Sequence, residues 1–271
     1  MGFLKKYVVS LFGFLMLLGS CEKSRDWELD TLEEPKLVVE AILTNEDTIQ
    51  EIRLSQSYTE LNGVPPAVEN AIVSVEANGV VYPFATDPLT PGLYRSQAPF
   101  AVVDHLVYNL RVNWEGASYE ASSELASVTP IPTIVFVPFQ GTDSLRLGDF
   151  IPPYTVGQQS MYEVTMDWTH LSPIEPNRAK LFFYTFSEVH VSQFVLPSRE
   201  VVGFPKGSKV SVVKYGLNDE FAVYLRGRAI ETDWNSSFFY STSENPPTNI
   251  SNGGLGFFST CSVLRQTVIA E

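Results

Sequence analysis

The chain has 271 residues, 44% apolar and 18% charged, with 17 glycines and 18 prolines, which suits one large or two medium β-domains and excludes disorder or a coiled coil. Its 18 basic and 31 acidic residues, net −13, repel phosphate backbones and anionic headgroups, so nucleic acid is excluded as a partner. Two cysteines are too few for a disulfide framework at this length.

In chain order, residues 1–20 read as a signal segment. Lys5 and Lys6 form a positive start, and Val8 to Leu18 form an apolar run too short to span a bilayer. Leu18-Gly19-Ser20-Cys21 resembles the bacterial lipobox, which implies lipidation of Cys21 and cleavage before it. The alternative is a plain signal peptide with a cysteine at its border. At about 0.8 kcal/mol per buried methylene, two or three acyl chains anchor a protein where one would not. Cleavage leaves 251 residues and, with two lysines lost, a net charge of −15. Residues 21–34 are polar, acidic and without apolar period, so they read as a tether. Acidic residues behind the lipidated cysteine resemble the surface-export signal of Bacteroides-type Gram-negative bacteria, although Lys23 and Arg25 interrupt them.

From Pro35 the pattern is that of half-buried strands. Leu37 to Thr44 and Ile49 to Ser55 are strands around the turn Asn45-Glu46-Asp47. Ala71, Val73, Val75 and Ala77 alternate with polar residues, then Asn78-Gly79 signals a hairpin. Leu106, Tyr108, Leu110, Val112 and Trp114 share a face, and Glu115-Gly116 turns the chain back. About seven strands over 35–129 predict an immunoglobulin-like or transthyretin-like β-sandwich. Pro130-Ile131-Pro132 marks the boundary to a second β-rich domain, 130–271. There Tyr162, Val164, Met166 and Trp168 alternate, Val210 to Tyr215 is a strand, and Leu181 to Phe186, apolar on both faces, predicts a covered central strand. One short helix is expected: Asn218 caps a segment with Phe221, Tyr224, Leu225 and Ala229 at helical spacing, weakened by Gly227. The fold class is therefore all-β with one helix.

The run Asn245-Pro246-Pro247-Thr248-Asn249-Ile250-Ser251-Asn252-Gly253-Gly254-Leu255-Gly256-Phe257-Phe258 resembles the closing motif of a lipoprotein family, domain of unknown function 4249. Pro35-Lys36-Leu37-Val38-Val39-Glu40, Leu43-Thr44 and Gly92-Leu93-Tyr94-Arg95-Ser96 resemble its N-terminal half. The resemblance implies an outer-membrane lipoprotein of Bacteroides-type bacteria, often encoded near TonB-dependent receptors, and it transfers no catalytic residue. Read physically, the closing motif is an extended Pro-Pro segment followed by a turn and a strand.

No HExxH, CxxC, GxSxG or phosphate-gripping glycine loop occurs, so no catalytic residue, metal ligand or cofactor is assigned. His105, His170 and His190 are scattered loop or strand-end residues, and Cys261 lies in an apolar run as a buried, inert thiol. Trp234, Phe238, Phe239 and Tyr240, near loop-like Asn235, Ser236 and Ser237, are the candidate binding residues, with core packing as the plainer reading. Asp30-Thr31-Leu32, Asp47-Thr48-Ile49 and Asp143-Ser144-Leu145 resemble bacterial O-glycosylation acceptors, which makes Thr31, Thr48 and Ser144 candidate glycan sites, although each is also an ordinary turn sequence. A lipid anchor, an acidic tether and two β modules suit a docking part better than a catalyst. The expected protein is a non-enzymatic binding or accessory subunit on the outer membrane, lipid-anchored at the cell surface, with a TonB-dependent receptor in nutrient uptake as partner. The alternatives are a structural or adhesive surface lipoprotein and a surface hydrolase without a sequence motif.

Overall fold

The computed structural model describes residues 34–58, 63–139, 141, 143–187, 201–232 and 247–271. Of the sequence candidates, Cys21, Thr31, His190, Trp234, Phe238, Phe239 and Tyr240 lie outside these residues. Pro35–Glu271 forms one compact unit, all-β with a single described helix.

Seven strands follow one another as expected: β1 (Leu37–Thr44), β2 (Glu51–Gln56), β3 (Ile72–Ala77), β4 (Val80–Thr86), β5 (Leu93–Ser96), β6 (Val107–Trp114) and β7 (Ala117–Glu124). Asn78 and Gly79 both take positive φ, 49° and 77°, which is what a two-residue hairpin loop demands. Glu115 and Gly116 do the same between β6 and β7. The alternating residues of β6 are buried as read, with Tyr108, Leu110 and Val112 almost fully enclosed.

An eighth strand comes from the far end of the chain. The C-terminal stretch read as one strand is two, β14 (Leu255–Cys261) and β15 (Val263–Ile269), which belong to different sheets. β14 lies parallel to β1, giving the order β14-β1-β2-β5-β4-β3-β6-β7. The ends of this order also meet. The Ala126 N–H donates to the Thr260 carbonyl at 3.2 Å, the Ser262 N–H to the Ala126 carbonyl at 2.9 Å, and the Ser251 N–H to the Glu120 carbonyl at 2.8 Å. The sheet therefore curls round a single core, sandwich-like, into which its strands send side chains. Polar groups inside are satisfied, as burial requires. The Tyr94 hydroxyl accepts the Ala71 N–H at 3.0 Å, and the Tyr108 hydroxyl accepts the Val103 N–H at 2.9 Å.

Beyond the prolines, β8 (Phe136–Pro138), β9 (Ser144–Leu147) and β12 (Phe204–Pro205) form a three-stranded sheet. A four-stranded sheet has the order β11-β10-β13-β15, with β10 (Ser160–Asp167), β11 (Arg178–Thr185) and β13 (Lys209–Gly216). The two sheets enclose a second core around Tyr162, Val164, Met166, Phe204, Val210 and Val212. Lys214 stands beside this core, only 2% exposed. Its ammonium donates to the Thr129 hydroxyl at 2.7 Å and the Pro130 carbonyl at 3.1 Å, and lies 5.2 Å from the Tyr162 ring centre. Burial holds its pKa below the usual lysine range, and the bonds tie the proline link to β13.

β11 corrects one expectation. The run Leu181 to Phe186 reads as a central strand, yet among the described residues β11 is the edge of its sheet, and Phe182 is 50% exposed. The apolar residues have two separate destinations. Leu181 and Phe183 pack on the second core, whereas Tyr184 and Phe186 turn to a third cluster beside the helix.

That helix, α1 (Asp219–Thr232), starts as read: the Asn218 side-chain oxygen accepts the Phe221 N–H at 2.8 Å, and Asp219 and Glu220 sit in the first turn, where the helix dipole favours negative charge. Its buried Phe221, Ala222, Tyr224 and Leu225 pack against Phe257 and Cys261 of β14 and Met161 of β10. The helix thereby covers the back of the β14 end of the first sheet and touches the second.

Candidate functional site

From Pro247 on, the closing motif is built into the fold. Asn249 acts as a strand extension, its side-chain oxygen accepting the Phe258 N–H at 3.0 Å and its amide donating to the Phe258 carbonyl at 2.8 Å. The Ser251 hydroxyl accepts the Glu120 N–H at 2.7 Å, and Ile250 is buried in the first core. Asn252 and Gly253 turn the chain with φ of 55° and 74°. The two phenylalanines that follow face opposite ways: Phe258 joins the first core and Phe257 the helix cluster.

Cys261 is fully buried beside the Ser259 hydroxyl at 3.6 Å, and burial pushes its thiol up to about 12. Such a thiol is not a nucleophile near neutral pH. His105 sits in an exposed turn with φ of 63°, its ring 3.6 Å from the Asp104 carboxylate. His170 is exposed with its Nε2 3.1 Å from the Gly207 carbonyl, so it ties two turns together. Among the described residues no group of three or more His, Cys, Asp or Glu converges. Thr48 is exposed, and its carbonyl accepts the Phe100 N–H at 3.1 Å. Ser144 is half-buried at the start of β9.

One acid is tuned by its neighbours. The Asp167 carboxylate accepts the Thr169 hydroxyl at 2.7 Å, the Thr169 N–H at 3.0 Å, and the Arg178 Nη2 at 2.8 Å. The Thr169 hydroxyl does most to hold its pKa from 3.8 down to about 2, then the Thr169 N–H, with Arg178 adding to them. Because the folded value lies below the unfolded one, the unfolded chain takes up this proton first. The stabilisation is complete above the unfolded carboxylate value and is lost as pH falls through about 2. Asp167→Asn is expected to flatten that stretch of the acid limb in a thermal-melt series across pH. An unchanged limb counts against the assignment.

Two further features were not visible in the linear chain. On the helix side, Phe221, Tyr224 and Phe257 stack with ring centres 5.1 to 6.1 Å apart, and the Arg226 guanidinium lies 4.5 Å from the Phe186 ring centre. On the back of β1 and β2 there is a hollow of about 280 Å³, lined by Val38, Glu40, Ser55, Gln56, Ser57, Tyr58 and Pro65. Antiparallel register builds it, since Val38 pairs with Ser55. The Arg228 guanidinium reaches Glu40 at 3.3 Å. No spaced motif announces these residues, of which Val38, Glu40 and Ser55 share a sheet face.

A family model described as domain of unknown function (DUF4249) matches residues 22–267. A search of curated proteins finds no match. Among solved structures, the crystal structure of Salmonella alpha-2-macroglobulin reacted with methylamine is similar at 11% identity and a TM-score of 0.21. The alignment covers 69% of this chain and 14% of the other.

Proposed function

This chain belongs to the DUF4249 family, and from that premise we propose that it is a lipid-anchored outer-membrane protein at the cell surface. There it serves as a non-enzymatic binding or accessory subunit of a TonB-dependent receptor in nutrient uptake. The observation that carries the reading is the Leu18-Gly19-Ser20-Cys21 motif, followed by a largely polar stretch richer in acid than in base and then a compact body starting at Pro35. Anchor, spacer and body in that order suit a protein held at a membrane and presented to a neighbour there. Among the described residues no helix is long and apolar enough to cross a membrane, and the net negative charge repels anionic lipid. On this reading, attachment rests on acyl chains at Cys21.

The test has two arms on the native protein. Cys21→Ala is expected to move it from the membrane pellet to the soluble fraction. Affinity purification of the wild-type chain from mildly solubilised membranes is expected to recover an outer-membrane receptor in comparable amount. Retention of the Cys21→Ala variant in membranes overturns the anchor, and recovery without any receptor overturns the accessory role.

A further inference from the structure

We propose that the hollow on the back of β1 and β2 binds a neutral sugar ring. The lining offers two kinds of surface at once. Glu40, Ser55 and Ser57 supply a carboxylate and two hydroxyls, which together accept and donate hydrogen bonds. Val38, Pro65 and the ring of Tyr58 supply apolar surface, and Tyr58 is 45% exposed at the mouth. A sugar has the same two faces: hydroxyls around its rim and C–H groups across its plane. An aromatic ring takes the C–H face while polar groups take the rim.

The polar groups are available. Among the described residues the side chains of Ser55 and Tyr58 have no polar partner. The Ser57 hydroxyl accepts the Lys36 N–H at 2.9 Å, which leaves its own proton to donate. Charge then narrows the ligand. Glu40 alone would favour a cation, but the Arg228 guanidinium 3.3 Å away and Arg53, paired with Glu40 across the two strands, stand beside it, so charges of both signs rim the hollow. A carboxylate ligand meets Glu40, an ammonium meets Arg228, and a neutral polyol meets neither penalty. Size narrows it further. At about 280 Å³ the hollow lies just below the usual ligand-pocket range of about 300 to 1,000 Å³, so it has room for no more than one small ring. With a single aromatic contact, a dissociation constant on the order of 1 mM is expected.

The inference is independent of the anchor and of any receptor, so failure of either test leaves the other standing. The experiment is saturation-transfer NMR on the full chain in a zwitterionic detergent without a sugar headgroup. The probes are glucose, galactose, mannose and N-acetylglucosamine, with glucuronate and glucosamine as charged comparisons. At least one neutral sugar is expected to receive saturation on its ring protons, more strongly than its charged analogue. Tyr58→Ala and Glu40→Gln, both at half-exposed side chains whose loss leaves the cores intact, are each expected to weaken that binding about tenfold. Three results overturn the proposal: no saturation of any neutral probe, equal saturation of the charged analogues, or binding undiminished in both variants.

Discussion

Gly256→Ala is expected to lower the stability of the folded body by about 3 kcal/mol or more, the sum of a conformational and a steric penalty. Gly256 lies in β14 with φ of 84°, where a residue with a Cβ is strained by about 1–2 kcal/mol. Its missing side chain is also where β1 passes. A methyl group would run into the backbone carbonyl of Val39, a residue at 0% exposure in the middle of the first core. Backbone cannot rotate away as a side chain can, so the strand would have to shift. The shift would loosen the parallel pairing of Val38 to Thr44 with Leu255 to Cys261, and with it Phe258 on one side and Phe257 on the other. Gly253→Ala is the control. It has φ of 74° but open space around the same position, so only the conformational penalty applies, about 1–2 kcal/mol. Urea denaturation of both variants, followed by tryptophan fluorescence, measures the difference. Equal losses would show that the approach of Val39 is not what requires glycine at 256.

What was legible in the sequence was local. The positive φ at Asn78 and Gly79, the Asn218 cap and the buried alternation of β6 all follow from residues within one turn or one strand. Cys261 was legible too, because it sits in a run that carries Phe257, Phe258 and Val263, on a strand packed between two clusters. The insertion of β14 beside β1 was not, since strand periodicity shows which face is buried and is silent about the partner. For β11 the same limit misled. Leu181 and Phe183 serve one core and Tyr184 and Phe186 another cluster, so a strand apolar on both faces can still lie at an edge. The hollow escaped for a related reason. Glu40 and Ser55 share a surface because β1 and β2 pair in one register, and a slip of one residue would turn Ser55 inward.

The second large effect is expected at Gln50, which is 3% exposed and sits where the β1–β2 turn meets the loop after β5. Its side-chain oxygen accepts the Thr44 N–H at 2.9 Å. Its amide donates to the carbonyls of Phe100 at 2.8 Å, Glu46 at 3.0 Å and Thr44 at 3.2 Å. Gln50→Leu keeps the volume and removes every one of these bonds. A buried backbone group left without a partner costs about 1–3 kcal/mol, so orphaning the Thr44 N–H and the Phe100 carbonyl together is expected to cost about 3 kcal/mol or more. Gln50→Glu separates this account from simple packing. The introduced carboxylate can still accept from Thr44, but it then faces carbonyl oxygens with no proton to give. Desolvation and those oxygens favour the protonated acid in the folded state, so the folded chain would hold a proton that the unfolded chain releases. Stability of Gln50→Glu is therefore expected to rise relative to wild type as pH falls toward the carboxylate range, where protonation of the introduced side chain restores one donor. The Gln50→Leu deficit has no such dependence. Melting both variants across that range decides the matter: parallel curves would mean that shape, rather than the proton aimed at the three carbonyls, is what Gln50 supplies.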